Sequence, residues 1–157
     1  MNNSAEKILY RKAALIFEEL GFLMPRPENG GSSRDERTSA MVIFKGPFSG
    51  YLQVSLSNEI LSQLSGNMLG DEQTATEVLQ QDSLKEISNV ICGNALPAIF
   101  GFEPIFHLDA PIICDDNSSH KSGTEFNQAA QVHLSFDIGN AEITLFVENG
   151  AAQATVQ

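Results

Sequence analysis

The sequence predicts an α+β domain with a mainly antiparallel sheet packed with two long helices and a shorter one. Three observations carry this. Apolar residues recur at helical spacing in three segments, alternate at strand spacing in three others, and form one short continuous run at Met41 to Phe44. The strands come in pairs joined by short glycine-bearing turns, so hairpins rather than helical crossovers connect them. The chain has 157 residues, 42 % of them hydrophobic, enough for one domain with a real core.

In chain order, Ser4 is placed to cap a helix from about Ala5 to Leu20, with Ile8, Leu9, Ala13, Ile16 and Leu20 as its apolar stripe and Gly21 as its stop. Met24 to Ser39 is polar and rich in proline and glycine, which reads as a loop. Ala40 to Lys45 and Tyr51 to Ser57 read as strands around the turn "GPFSG", Gly46 to Gly50. That turn lacks the lysine of a phosphate-binding loop, so a hairpin is the better reading. Asn58 to Leu69 is a short helix stopped at Gly70. "TATE", Thr74 to Glu77, is a capping box opening a long helix to about Leu96, where Pro97 is expected to end or bend it.

Pro104 and Pro111 bracket an extended stretch, and Cys114 to Gly123 is a loop. Val132, Leu134, Phe136 and Ile138 alternate with polar residues. Gly139-Asn140 turns the chain, and Ile143, Leu145 and Val147 alternate again. The domain spans 1–149, and the tail at 150–157 has little to pack with and reads as flexible. Phe44, Phe48, Phe100, Phe102 and Phe106 are assigned to the core.

Nine basic residues face twenty acidic ones, a formal charge of -11. That argues against nonspecific binding to nucleic acid or to an anionic membrane, both of which need a positive surface. No run approaches the roughly 20 apolar residues of a membrane span. Charged residues interrupt the N-terminal segment where a secretory signal has its apolar centre. The expected compartment is the cytoplasm. There, Cys92 and Cys114 are reduced thiols rather than a disulfide. His107, His120 and His133 are not at metal-ligand spacing. "DDNSSH", Asp115 to His120, offers oxygen ligands without a regular pattern.

The stretch that carries chemistry is "DSLKEISNVICGN", Asp82 to Asn94. At about 100° per residue, with Asp82 as zero, Glu86 falls near 40°, Asn89 near -20° and Gly93 near 20°. Leu84, Ile87 and Ile91 fall between about 140° and 200°. One side therefore packs, and an Asp/Glu/Asn stripe looks outward. Such a stripe is also what a plain solvated helix face shows. Gly93 is the odd member, since glycine inside a helix costs about 1 kcal/mol relative to alanine. Either close packing or the docking of a partner would account for it.

The spacing of acid, three residues, Glu, two residues, Asn resembles the signature of the CheC/CheX/FliY chemotaxis phosphatases. "GNA", Gly93 to Ala95, and the lead-in "GPFSGYLQVSLSNEILSQLSGNMLGDE", Gly46 to Glu72, are similar to the CheX branch. So is the proline-containing "LDAPIIC". The likeness runs from about Ile8 to Cys114 and weakly over the last hairpin. Only one motif copy is present, because "EELGF" near Glu18 lacks the Asn, and a single site resembles the CheX type.

The resemblance implies a CheC-like fold. It also implies a phosphatase that removes the aspartyl phosphate of a CheY-type response regulator. Glu86 and Asn89 would be its catalytic pair, Asn89 orienting the attacking water and Glu86 pairing with the receiver's lysine. Asp82 and Gly93 would serve partner binding. No cofactor or metal is implied on this chain, and Mg²⁺ is expected on the receiver. A homodimer joined at sheet edges is implied as well, with the hairpin from Val132 to Val147 offering an edge. The alternative reading is a CheX-like module that binds a response regulator or motor component without hydrolysis.

Overall fold

The computed structural model describes residues 3–26, 36–70, 76–114 and 126–149. The chain forms α1 (Asn3–Gly21), β1 (Arg37–Lys45), β2 (Gly50–Ser57), α2 (Asn58–Leu69), α3 (Glu77–Phe100), β3 (His107–Leu108), β4 (Ile112–Cys114), β5 (Phe126–Phe136) and β6 (Gly139–Glu148). The predicted α+β class is the observed one. Among the described residues every strand pairing is antiparallel, and the sheet runs β3-β1-β2-β6-β5, with β4 beside β3 on the outer side of β1.

Alternation decides which side of the sheet is dry. Val42 pairs with Leu52, Leu52 with Leu145, and Val132 with Ile143. These residues join one core with Leu9, Phe17, Ile60, Leu64, Leu84, Ile87 and Ile91 from the helices. All three helices therefore cover one face of the sheet. The opposite face carries polar side chains and an aromatic group, in which Tyr51 stacks on Phe146 at 4.6 Å and meets Phe126 at 5.4 Å.

Several local expectations change. α1 begins at Asn3, so Ser4 lies inside its first turn rather than capping it. Gly21 is not the left-handed stop. That conformation falls on Phe22, at φ 52°. Gly21 is instead a packing residue, since a Cβ there would come 2.5 Å from Leu64 Cδ1 of α2, and Asn67 Nδ2 donates to its carbonyl at 2.7 Å. A left-handed non-glycine residue costs about 1–2 kcal/mol. Phe22 is 72 % exposed and has little burial to lose. Phe22→Gly is therefore expected to stabilise the domain by about 1 kcal/mol in urea denaturation.

β1 starts at Arg37, within the segment expected as loop. The Arg37 guanidinium donates to Ser55 Oγ and Ser55 O, each at 2.9 Å, and to Asn140 Oδ1 at 2.5 Å, tying β1 across β2 to β6. Arg26 adds a bridge to Ser135 at the β5 edge. The last turn uses Asp137 and Ile138, and Gly139 and Asn140 open β6 opposite Phe136 and Ser135. Ile138 thus sits in the turn instead of facing inward.

Phe44, Phe48 and Phe100 are buried as expected, but Phe102 is 87 % exposed. It follows the end of α3, where the chain turns away from the core. Residues 27–35, 71–75, 115–125 and 150–157 lie outside the described residues. With them lie Thr74 of the capping box, the Asp115–His120 loop and the tail. Among the described residues no helix is long and apolar enough to cross a membrane.

Candidate functional site

The site is built on α3. Thr76, two residues beyond the expected Thr74, caps it by accepting the Leu79 amide at 3.3 Å. Leu84, Ile87, Ile91, Cys92, Ala95, Leu96 and Ile99 are buried against the sheet and the other helices. Two buried serines were not picked out from the sequence. Ser88 donates to the Leu84 carbonyl at 2.6 Å. Ser83 donates to the Leu79 carbonyl at 3.0 Å and meets Ser65 of α2 at 3.2 Å. Both satisfy their hydroxyls within the helix layer, so burial costs little.

With that side anchored, Asp82, Glu86, Asn89 and Gly93 all emerge exposed on the opposite side, as the spacing predicts. Glu86 and Asn89 stand one turn apart, with about 5–6 Å between neighbouring Cβ positions. Lys85 Nζ lies 3.5 Å from Asp82 Oδ1. This pair was not read from the sequence. Both groups are solvent-exposed, so the pair is weak, and among the described residues Glu86 has no such partner. Among the described residues neither Glu86 nor Asn89 has a hydrogen-bond or ion-pair partner, so both are available to another molecule.

Pro97 does not end the helix. α3 runs on to Phe100, and the Gly101 amide bonds the Pro97 carbonyl at 2.8 Å. The cost falls on one group: Pro97 has no N–H to give the carbonyl of Gly93. Gly93 is exposed, and a Cβ built there meets nothing nearer than Leu108 Cδ2 at 4.0 Å. The fold itself therefore does not require glycine at this position.

Cys92 is fully buried, and burial pushes its thiol up to about 12. It is a packing residue and not a nucleophile at neutral pH. A thiol reagent is expected to leave Cys92 unmodified in the folded protein and to reach it only after unfolding, which a colorimetric thiol titration reads directly. His107 lies on β3 and His133 on β5, at opposite edges of the sheet. His133 Nδ1 is 3.6 Å from Glu142. Among the described residues no three His, Cys, Asp or Glu side chains gather as a metal site.

Comparison with known proteins gives this geometry a family. The model of chemotaxis phosphatase CheX matches residues 38–137, which runs from the second residue of β1 through β5 and holds all of α3. No curated protein matches the chain in sequence. Among solved structures, the chemotaxis protein CheX of Desulfovibrio desulfuricans superposes with a TM-score of 0.71 at 17 % identity, over 92 % of this chain and 99 % of that one. A CheC-like superfamily protein from Shewanella sp. PV-4 does so with 0.69 at 20 % identity, over 95 % and 100 %. The CheX of a CheX-CheY-BeF3-Mg²⁺ complex from Borrelia burgdorferi matches with 0.66 at 14 % identity, over 90 % and 96 %. At these identities the structures share the fold, which is the CheC-like fold expected from the sequence. The family assignment rests on the matched model: this chain is a member of the CheX family of chemotaxis phosphatases.

Proposed function

We propose that the protein dephosphorylates the aspartyl phosphate of a CheY-type response regulator, using the exposed α3 stripe as its working face. One observation carries this reading. In a CheX-family chain, Glu86 and Asn89 project side by side from a helix locked into the core, and both are unengaged. The Borrelia burgdorferi relative was solved bound to CheY with BeF3 and Mg²⁺, which supports a receiver as the partner here.

The chemistry follows from what a receiver lacks. Its own Mg²⁺ and lysine already hold the phosphoryl oxygens, and what hydrolysis needs is a water in line with the breaking P–O bond. The Asn89 carboxamide is neutral, accepts from water and donates to it, and adds no repulsion against the phosphoryl group. Glu86 is longer and anionic and pairs with the receiver's lysine, which fixes the docking register. Asp82, already paired with Lys85, shapes the face one turn earlier. Gly93 leaves room for the partner's backbone. The protein acts in the cytoplasm, where the regulator is.

A homodimer joined at a sheet edge belongs to the same reading. The hairpin's outer strand, β5, is one edge. Part of it is taken, since Gln131 N donates to Glu6 Oε2 at 3.2 Å and the Ser135 carbonyl accepts from Arg26 N at 2.7 Å. A monomeric mass in light scattering at micromolar concentration contradicts the dimer. The test of function is phosphate release from a phosphorylated CheY-type receiver with this protein added. Binding without acceleration leaves the non-catalytic module as the surviving reading.

A further inference from the structure

The connection from α3 to β3 exposes two large apolar side chains. Phe102 is 87 % and Ile105 70 % exposed. The connection is nevertheless fixed. Phe106, adjacent to Ile105, packs on Phe44 at 5.4 Å, Phe48 at 5.1 Å and Phe100 at 5.9 Å. A Cβ on Gly46 would sit 2.6 Å from the Ile105 carbonyl, so the β1–β2 turn braces it from behind. After Phe106 the chain returns to place Leu108 beside Gly93.

The connection thus leaves α3 at its end and comes back along the stripe side, forming a wall at the stripe's C-terminal end. At the other end Val78 and Leu79 are 66 % and 39 % exposed. They fall near -40° and 60° on the same helical scale, flanking Asp82. The working face is therefore a polar centre between two apolar ends. Burying the apolar ends against a partner supplies binding energy, and the charged and polar groups between them set its orientation.

We propose that Phe102 and Ile105 are the apolar anchor by which this protein holds a receiver domain against the Asp82–Gly93 stripe. This rests on the phosphatase reading above and adds residues outside its motif. Charge selects the occupant. A second copy meeting this face two-fold would bring Asp82 and Glu86 towards their own counterparts, on a chain of net charge -11. A receiver brings a lysine to the same place. The anchor contacts the partner equally before and during hydrolysis, so its loss raises KM and leaves kcat alone.

The test is the double variant Phe102→Ser/Ile105→Ser in the full chain. Both residues are exposed, so the fold is expected to hold, which circular dichroism checks. Initial rates of phosphate release are measured across receiver concentrations, with light scattering alongside. The expected result is a KM raised about tenfold or more, with kcat and molar mass unchanged. An unchanged KM overturns the proposal. So does a changed mass with unchanged KM, which makes the patch a contact between copies. If the wild type releases no phosphate, the phosphatase reading fails by itself, and the anchor is read from Kd for a beryllofluoride-loaded receiver. A tenfold loss of affinity then upholds it. An equal Kd, or no wild-type binding, overturns it.

Discussion

Asn89→Ala is expected to reduce receiver dephosphorylation to the receiver's own unassisted rate. The substitution removes a carboxamide that no described residue of the protein uses, so the loss is not structural. Asn89 is exposed on a helix whose opposite side is buried, and alanine is the better helix former by up to about 0.7 kcal/mol. Thermal unfolding should therefore be unchanged or slightly higher. Affinity for the receiver should survive, because Glu86 and the rest of the face remain. Positioning a water for in-line attack has no substitute elsewhere on the stripe, so the fall appears in kcat. Asn89→Asp makes the point a second way. It keeps the size and one acceptor oxygen but replaces the donating NH2 with a second, negatively charged oxygen beside the phosphoryl group, and it too is expected to be inactive.

The second large effect is expected at Gly93, where stability and activity should move in opposite directions. Gly93→Leu replaces a helix-interior glycine with a good helix former, a gain of up to about 1 kcal/mol. The nearest atom to the new Cβ is Leu108 Cδ2, at ordinary contact distance and on a flexible side chain, so the backbone leaves room for a side chain here. The same side chain stands on the stripe one turn beyond Asn89, where it holds a partner away from Glu86 and Asn89. Urea denaturation should show a more stable protein, while phosphate release at sub-saturating receiver falls about tenfold or more. Unaltered turnover in the stabilised variant would mean that the receiver does not approach over Gly93.

The stripe was legible because a helix repeats every 3.6 residues. Once Leu84, Ile87 and Ile91 are packed, Asp82, Glu86, Asn89 and Gly93 have only one side left to occupy. The strand pairs were legible for the equivalent reason at period two. What escaped depends on contacts distant in sequence. Arg37 extends β1 only because Ser55 and Asn140 receive its guanidinium. Gly21 looks like a helix stop until Leu64 is found against it. Pro97 looks like a helix end, yet tertiary packing of Ile99 and Phe100 carries the helix past it.

Phe102 was assigned to the core by its aromatic neighbours, but Phe106 takes the inward position and Phe102 does not. Nor does spacing alone separate a working amide from a solvated one. The roles proposed for Glu86 and Asn89 rest on resemblance joined to geometry and not on the pattern by itself.

The activity proposed for this stripe is hydrolysis of a partner's aspartyl phosphate. It is tested most directly by following the decay of a phosphorylated CheY-type receiver, alone, with this protein, and with Asn89→Ala. Faster decay with the wild type and no acceleration with the variant is the expected result. Equal acceleration by both proteins, or none by a wild type that binds the receiver, would contradict it.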